Sequence, residues 1–206
     1  NCIIGLDLAH AAGNVDLKLN QWNIDFAAWC GYKYLNGGPG APSGAYVNEK
    51  YHGSNLNRLE GWWGHDRDTR FNPPDSFNPI KGAEAWQLSN PPILSMAALR
   101  SSLELFNEIG MTALRKKSIE LTGYLESMIQ SIDNKNISII TPSNPIQRGS
   151  QLSLKITSSK TDVESFLKTK NIVCDFRKPN VIRAAPCAFY NSYSDVNKFV
   201  EVLNEL

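Results

Sequence analysis

Two residues in the first third of the chain have the types and positions that chemistry requires. Asp7 closes the apolar run "CIIGLD" and is followed by the small-residue loop "LAHAAGN". Lys33, 26 residues further on, follows a second apolar run, "FAAWCGY", and precedes the glycine-rich "LNGGPG". Open α/β sheets place their ligands at the carboxyl ends of their strands, and both residues stand at such ends. The lysine is not that of a phosphate loop, which follows its glycines and opens a helix, and "GGPG" does not fit a dinucleotide fingerprint. A lysine desolvated among apolar groups has a lowered pKa and attacks aldehydes. Pyridoxal phosphate (PLP) needs such a lysine, together with an acid facing its pyridine nitrogen. Taken alone, Asp7 also reads as a loop carboxylate capping a turn, and His10 as a structural histidine. Asp7 and His10 could form half of a metal site, but no further ligands lie nearby in the sequence.

Other candidates are equally two-sided. Arg183 lies in the apolar stretch "VIRAA", where an unpaired charge is costly, so it needs an anionic partner. That partner is either a bound carboxylate or a structural Asp or Glu. Trp62 and Trp63 read as core or interface aromatics as well as site residues, and Asn90, before Pro91, as a helix cap. The run Arg115-Lys116-Lys117 reads as a solvated helix face. The four cysteines have neither C-x-x-C nor zinc spacing, which points to reduced thiols in a cytoplasmic protein. With 21 basic against 20 acidic residues, the charge balance indicates neither nucleic acid nor an anionic membrane as partner. No apolar run is long enough to span a bilayer. The chain opens without Met and almost directly on a strand-like run, which suggests a fragment or processed chain.

The elements that must position these residues fall into three regions. Residues 1–90 carry short apolar runs separated by glycine-rich loops. "CIIGLD" and "DFAAWC" read as strands buried on both faces, and "SGAYV" as a third. From 51 the chain is loop-rich, and so long an irregular stretch is usually functional or covers a partner surface. Residues 91–131 read as two linking helices, the first opened by prolines and closed by Gly110, with Leu99, Leu103 and Phe106 at helical spacing. Residues 132–206 read β-β-α-β-β-α, a small α+β domain. Within it Leu152, Leu154 and Ile156 share one strand face, "TDVESFLKTKN" opens on a Thr/Asp cap, and Ser194 caps the last helix.

In order along the chain, "GLDLAHAAGNVDL", "WCGYKYLNGGPG", "GWWGH", "SNPPIL" and "IRAAP…YNS" together closely resemble the kynureninase family. Asp followed by Lys is shared with cysteine desulfurases and many aminotransferases, whereas Tyr32 before the lysine, "GWWGH" and "SNPPIL" favour kynureninase. The resemblance implies an α/β chain: the later part of a PLP-dependent fold type I large domain, then a small α+β C-terminal domain. It implies hydrolysis of L-kynurenine or 3-hydroxykynurenine, with Lys33 bonded to PLP, Asp7 on the pyridine nitrogen and His10 holding the cofactor. Tyr32 would bind the phosphate and donate a proton. Trp62 and Asn90 would reach the phosphate region from the partner subunit of a homodimer, Ser89 and Asn90 would border the substrate ring, and Arg183 would hold the α-carboxylate. It also implies an earlier segment completing the cofactor cradle, without which the chain would be poorly active or inactive. Another fold type I enzyme, a desulfurase or aminotransferase, and a non-catalytic remnant are the rival readings.

Overall fold

The computed structural model describes residues 2–72, 76–158 and 162–206. The chain divides into two compact units, Asn1–Glu108 and Ile109–Leu206, and Gly110, just past the division in sequence, has a φ of +81°, which favours glycine.

The first unit is built on a three-stranded sheet of β1 (Gly5–Asp7), β2 (Phe26–Trp29) and β3 (Gly44–Val47). β1 and β2 are parallel and β3 is antiparallel to β2. The expected burial on both faces is not reached. Side chains alternate along a strand, so Ala27 is buried while Phe26 and Ala28 point to the open face, and Ile3 and Ile4 are also exposed. A buried acid ties the sheet together at the edge where β1 and β2 begin and β3 ends. The Asp25 carboxylate accepts from the Ile4 amide at 2.7 Å and the Tyr51 hydroxyl at 2.6 Å, and pairs with Lys50 at 2.6 Å. Asn48, just past β3, donates to the Ile24 carbonyl at 2.9 Å.

After β3 the chain is irregular, with short 3-10 turns at Glu49–Tyr51, Trp62–Gly64 and Ala83–Trp86. His65, only 3% exposed, organises its middle: Nε2 meets the Thr69 hydroxyl at 3.0 Å, and Nδ1 accepts from the Asn78 amide at 3.2 Å. Helix α1 (Ile93–Ile109) follows the two prolines. It touches the sheet's loops through the Ser102 hydroxyl, which donates to the Leu35 carbonyl at 2.6 Å. Of its expected apolar stripe Phe106 is buried, Leu99 is partly covered and Leu103 is exposed, because the helix meets its own unit along a narrow line.

The second unit opens with α2 (Met111–Ser131), followed by β4 (Ile137–Ile139), β5 (Leu152–Ile156), α3 (Val163–Thr169), β6 (Asp175–Arg177), β7 (Val181–Ala184) and α4 (Tyr193–Asn204). The antiparallel sheet has the order β4-β5-β7-β6. Leu152, Leu154, Ile156 and Ile182 form its buried face, packed against Leu121 and Leu125 of α2 and Val200 and Leu203 of α4. Asp162 caps α3, while Thr161 lies outside the described residues. The cap of α4 is Ser192, not Ser194: Asp195 stands at the third helical position and closes a reciprocal capping box with Ser192. Arg115 departs from the expected solvated face. One of its terminal nitrogens donates to the carbonyls of Pro145 and Arg148, both at 2.6 Å, and Arg148 pairs with Glu126 at 2.6 Å. No helix among the described residues is long and apolar enough to cross a membrane.

The hydrogen bond and charge of Lys50, then the Tyr51 hydroxyl and Ile4 amide, pull the Asp25 carboxyl from 3.8 down to about 2. A carboxyl depressed in the folded state stabilises fully above its unfolded pKa, and that stabilisation is lost as pH falls toward the folded value. Thermal unfolding followed from pH 7 downward should therefore show a component lost between about pH 4 and pH 2. Asp25→Asn should melt lower at pH 7 and lack that component.

Candidate active site

The parallel register of β1 and β2 sets Asp7 beside Ala28, so the loops leaving both strands emerge at one edge of the sheet. Lys33 lies in the loop leaving β2, four residues past Trp29. Two contacts join these loops. The His10 and Tyr34 rings meet edge to face, with centroids 5.9 Å apart. Gly13 has φ +79°, and a Cβ on it would stand 2.7 Å from the Tyr34 carbonyl oxygen, so only glycine allows this approach. The structure therefore brings Asp7, His10, Tyr32 and Lys33 to the same end of the sheet.

Lys33 is half-buried, so this chain does not desolvate it as fully as expected. Its ammonium lies 5.7 Å from the centre of the Tyr32 ring and makes no hydrogen bond or ion pair among the described residues. Asp7 is exposed. One of its oxygens accepts from the Ala9 amide at 2.9 Å, which is the turn-capping role, and the other has no partner among the described residues. Tyr32 is 53% exposed, and its phenol is pushed above its ordinary pKa by a hydrogen bond with the Cys30 side chain and by the charge there.

Trp62, Ser89 and Asn90 form a second group within the long loop. A Cβ at Gly61 would stand 2.3 Å from the Leu88 Cα, and one at Gly64 would stand 2.7 Å from the Ala85 oxygen, so segments 61–64 and 85–88 run in direct contact. Trp62 packs edge to face on Trp63 at 5.4 Å and against Phe71 at 5.7 Å, with the Arg70 guanidinium 5.6 Å from its ring. The Ser89 carbonyl accepts from Gln87 at 3.1 Å. Asn90 is exposed, makes no side-chain hydrogen bond among the described residues, and does not cap α1.

Arg183 belongs to the second unit and has an acid of that unit as partner: its Nε donates to Asp175 Oδ2 at 2.6 Å. Sequence reasoning missed Asp175, although reading "VCDF" and "VIRAA" as a hairpin would have set an acid across from the arginine. A cavity of about 410 Å³ in this unit is lined by Cys174, Pro186, Tyr190 and Lys198, among others, and by none of the expected site residues. Burial pushes the Cys174 thiol up to about 11, so it holds its proton and is not a nucleophile at neutral pH. No group of three or more His, Cys, Asp or Glu among the described residues is set to hold a metal.

The fold is shared with solved structures. A cysteine desulfurase from Thermococcus onnurineus NA1 superposes with a TM-score of 0.75 at 20% identity, over 98% of this chain and 52% of that one. The cystine C–S lyase C-DES, solved with glycine covalently linked to its PLP cofactor, gives 0.75 at 17% identity, over 96% of this chain and 50% of that one. These likenesses show the fold, which the chain shares with enzymes of the PLP-dependent fold type I. Residues 114–203 match the family model of the kynureninase C-terminal domain. The kynureninase of Myxococcus xanthus is 52% identical over 203 residues, 98% of this chain and 48% of that protein. That of Koribacter versatilis is 49% identical over 201 residues, 97% of this chain and 47% of that protein. Along nearly its whole length the chain is similar to the kynureninase family, and it spans about half the length of the curated relatives it matches.

The contact between Gly13 and Tyr34 gives a direct test of how the site is held. Gly13→Ala should destabilise by more than about 1 kcal/mol in denaturant unfolding, because it adds a backbone clash to an unfavourable φ. Gly38→Ala, at φ +77° with nothing within 4 Å of the added carbon, should cost less.

Proposed function

We propose that this chain supplies the lysine-bearing part of a PLP-dependent kynureninase. The reaction is hydrolysis of L-kynurenine, or its 3-hydroxy form, to L-alanine and anthranilate or 3-hydroxyanthranilate, in tryptophan catabolism and NAD biosynthesis. The observation that carries this reading is the parallel register by which β1, ending at Asp7, and β2, leading to the Lys33 loop, finish at one sheet edge, in a chain about half identical to kynureninases.

The residues fit the cofactor. Lys33 offers an amine with no hydrogen bond or ion pair among the described residues, as bonding to an aldehyde requires, and Asp7 keeps one carboxylate oxygen for a pyridine N–H. Bound PLP supplies an electron sink for the substrate α-carbon. Lys33 would hold the cofactor through its side-chain amine and would serve the substrate α-proton as general base. Asp7 would supply the opposite charge that favours a proton on the pyridine nitrogen. Tyr32 would bind the phosphate and donate a proton. His10, fixed by Tyr34, lines the cofactor. Trp62 and Asn90 contact the phosphate region from the partner subunit of a homodimer with shared sites, Ser89 and Asn90 border the aromatic ring, and Arg183 grips the α-carboxylate. The protein works in the cytoplasm.

The polypeptide carrying this sequence, incubated with L-kynurenine, should release fluorescent anthranilate and alanine in equal amounts, and Lys33→Ala should lower kcat by at least about 1,000-fold. Sulfide from cysteine, or amino transfer to a keto acid, without anthranilate would assign the chain to another fold type I activity.

A further inference from the structure

Arg183 is not alone on its face of the sheet. Asp175 of β6 stands directly across from it in the antiparallel ladder, and Arg177 lies two residues along β6 on the same face. A single oxygen, Asp175 Oδ2, accepts from Arg183 Nε at 2.6 Å and from Arg177 Nε at 2.8 Å. Both arginines are thus held by the inner nitrogen of the guanidinium. The terminal nitrogens of Arg183 have no partner among the described residues.

A guanidinium can grip a carboxylate through either of two edges, Nε with one terminal nitrogen or both terminal nitrogens together. With Nε taken by Asp175, the terminal edge remains for a ligand. The charges agree with this geometry. Arg183 and Asp175 by themselves would be a neutral pair with little pull on an anion. Arg177 restores one net positive charge to the cluster, so the cluster still attracts a carboxylate. The three side chains are 24% (Arg183), 43% (Asp175) and 61% (Arg177) exposed, and ion pairs so open to water contribute little to folding. The arrangement is therefore poorly explained as a support for the fold.

We propose that Asp175 is a positioning residue that aims the terminal edge of Arg183 at the substrate α-carboxylate, with Arg177 offsetting the acid's charge. This rests on the reading of Arg183 as the carboxylate site. The carboxylate is held equally before and during the reaction, so weakening its grip raises KM more than it lowers kcat.

The test uses the polypeptide that carries this sequence, assayed with L-kynurenine. Asp175→Ala should raise KM about tenfold or more, the size expected for losing a hydrogen bond between charged groups, with a much smaller change in kcat. Asp175→Asn, whose amide oxygen still accepts from Nε, should recover a large part of that loss. Arg183→Lys, which cannot offer a two-pronged edge, should raise KM as well, and adding Asp175→Ala to it should change KM little further. Melting temperatures of the single variants should stay close to that of the parent protein. If Arg183→Lys raises KM and Asp175→Ala does not, Asp175 does not position the arginine, and the carboxylate reading of Arg183 survives. If neither variant moves KM, the carboxylate is bound elsewhere and both readings fail.

Discussion

Much of the first unit depends on one alignment, the parallel pairing of β1 with β2 that sets Asp7 beside Ala28. Parallel strands end on the same side, so whatever follows each of them is delivered to one edge. Here those followers are an acid and a lysine. The pairing is secured at the opposite end by Asp25, whose carboxylate collects the Ile4 amide before β1, and Lys50 and Tyr51 beyond β3. A buried acid with three such partners fixes the register of short strands that bury few side chains of their own. The candidate site lies at one end of the sheet and the fastening of the strands at the other. The network that holds the strands thus leaves Asp7 and Lys33 free of structural ion pairs.

The loops divide the remaining work. Gly13 and His10 clamp the loop after Asp7 onto the loop bearing Lys33, so the two candidate cofactor contacts are related by backbone packing and not by a bond between them. The long irregular stretch after β3 is a built structure, with His65 and Arg70 at its centre and Trp62 half-open at its surface. The second unit is organised differently. Its sheet buries one apolar face under α2 and α4, and the opposite face carries charged residues in register, among them Asp175 and Arg183. Burial stabilises this unit through one side of the sheet, and the charged residues occupy the other.

Much of this was legible in the residues. Asp7 and Lys33 stood out because each ends an apolar run, and period-two alternation in "QLSLKIT" identified the buried face of β5 correctly. The order β-β-α-β-β-α was readable because turns and caps punctuate it. Other features required the third dimension. The helix cap moved from Ser194 to Ser192 because the reciprocal bond with Asp195 outweighs proximity to the apolar run. Arg115 looked solvated because helical periodicity does not reveal the carbonyls of Pro145 and Arg148 that come to meet it. The exposure of Ile3, Ile4 and Phe26 was hidden for the opposite reason: an apolar strand reads as buried whether or not its face is covered within the same chain. Asp175 was missed because a hairpin's register depends on its turn, and only the register puts the acid across from Arg183.

The central claim is that Lys33 is a reactive amine committed to an aldehyde cofactor. The most direct measurement is borohydride reduction of the polypeptide carrying this sequence after incubation with PLP, followed by digestion and mass spectrometry. The account predicts a pyridoxyl-phosphate adduct on Lys33 at near-stoichiometric yield, lost when L-kynurenine is added before the reduction. Labelling spread over surface lysines such as Lys116 and Lys117, with Lys33 unmodified, would contradict it.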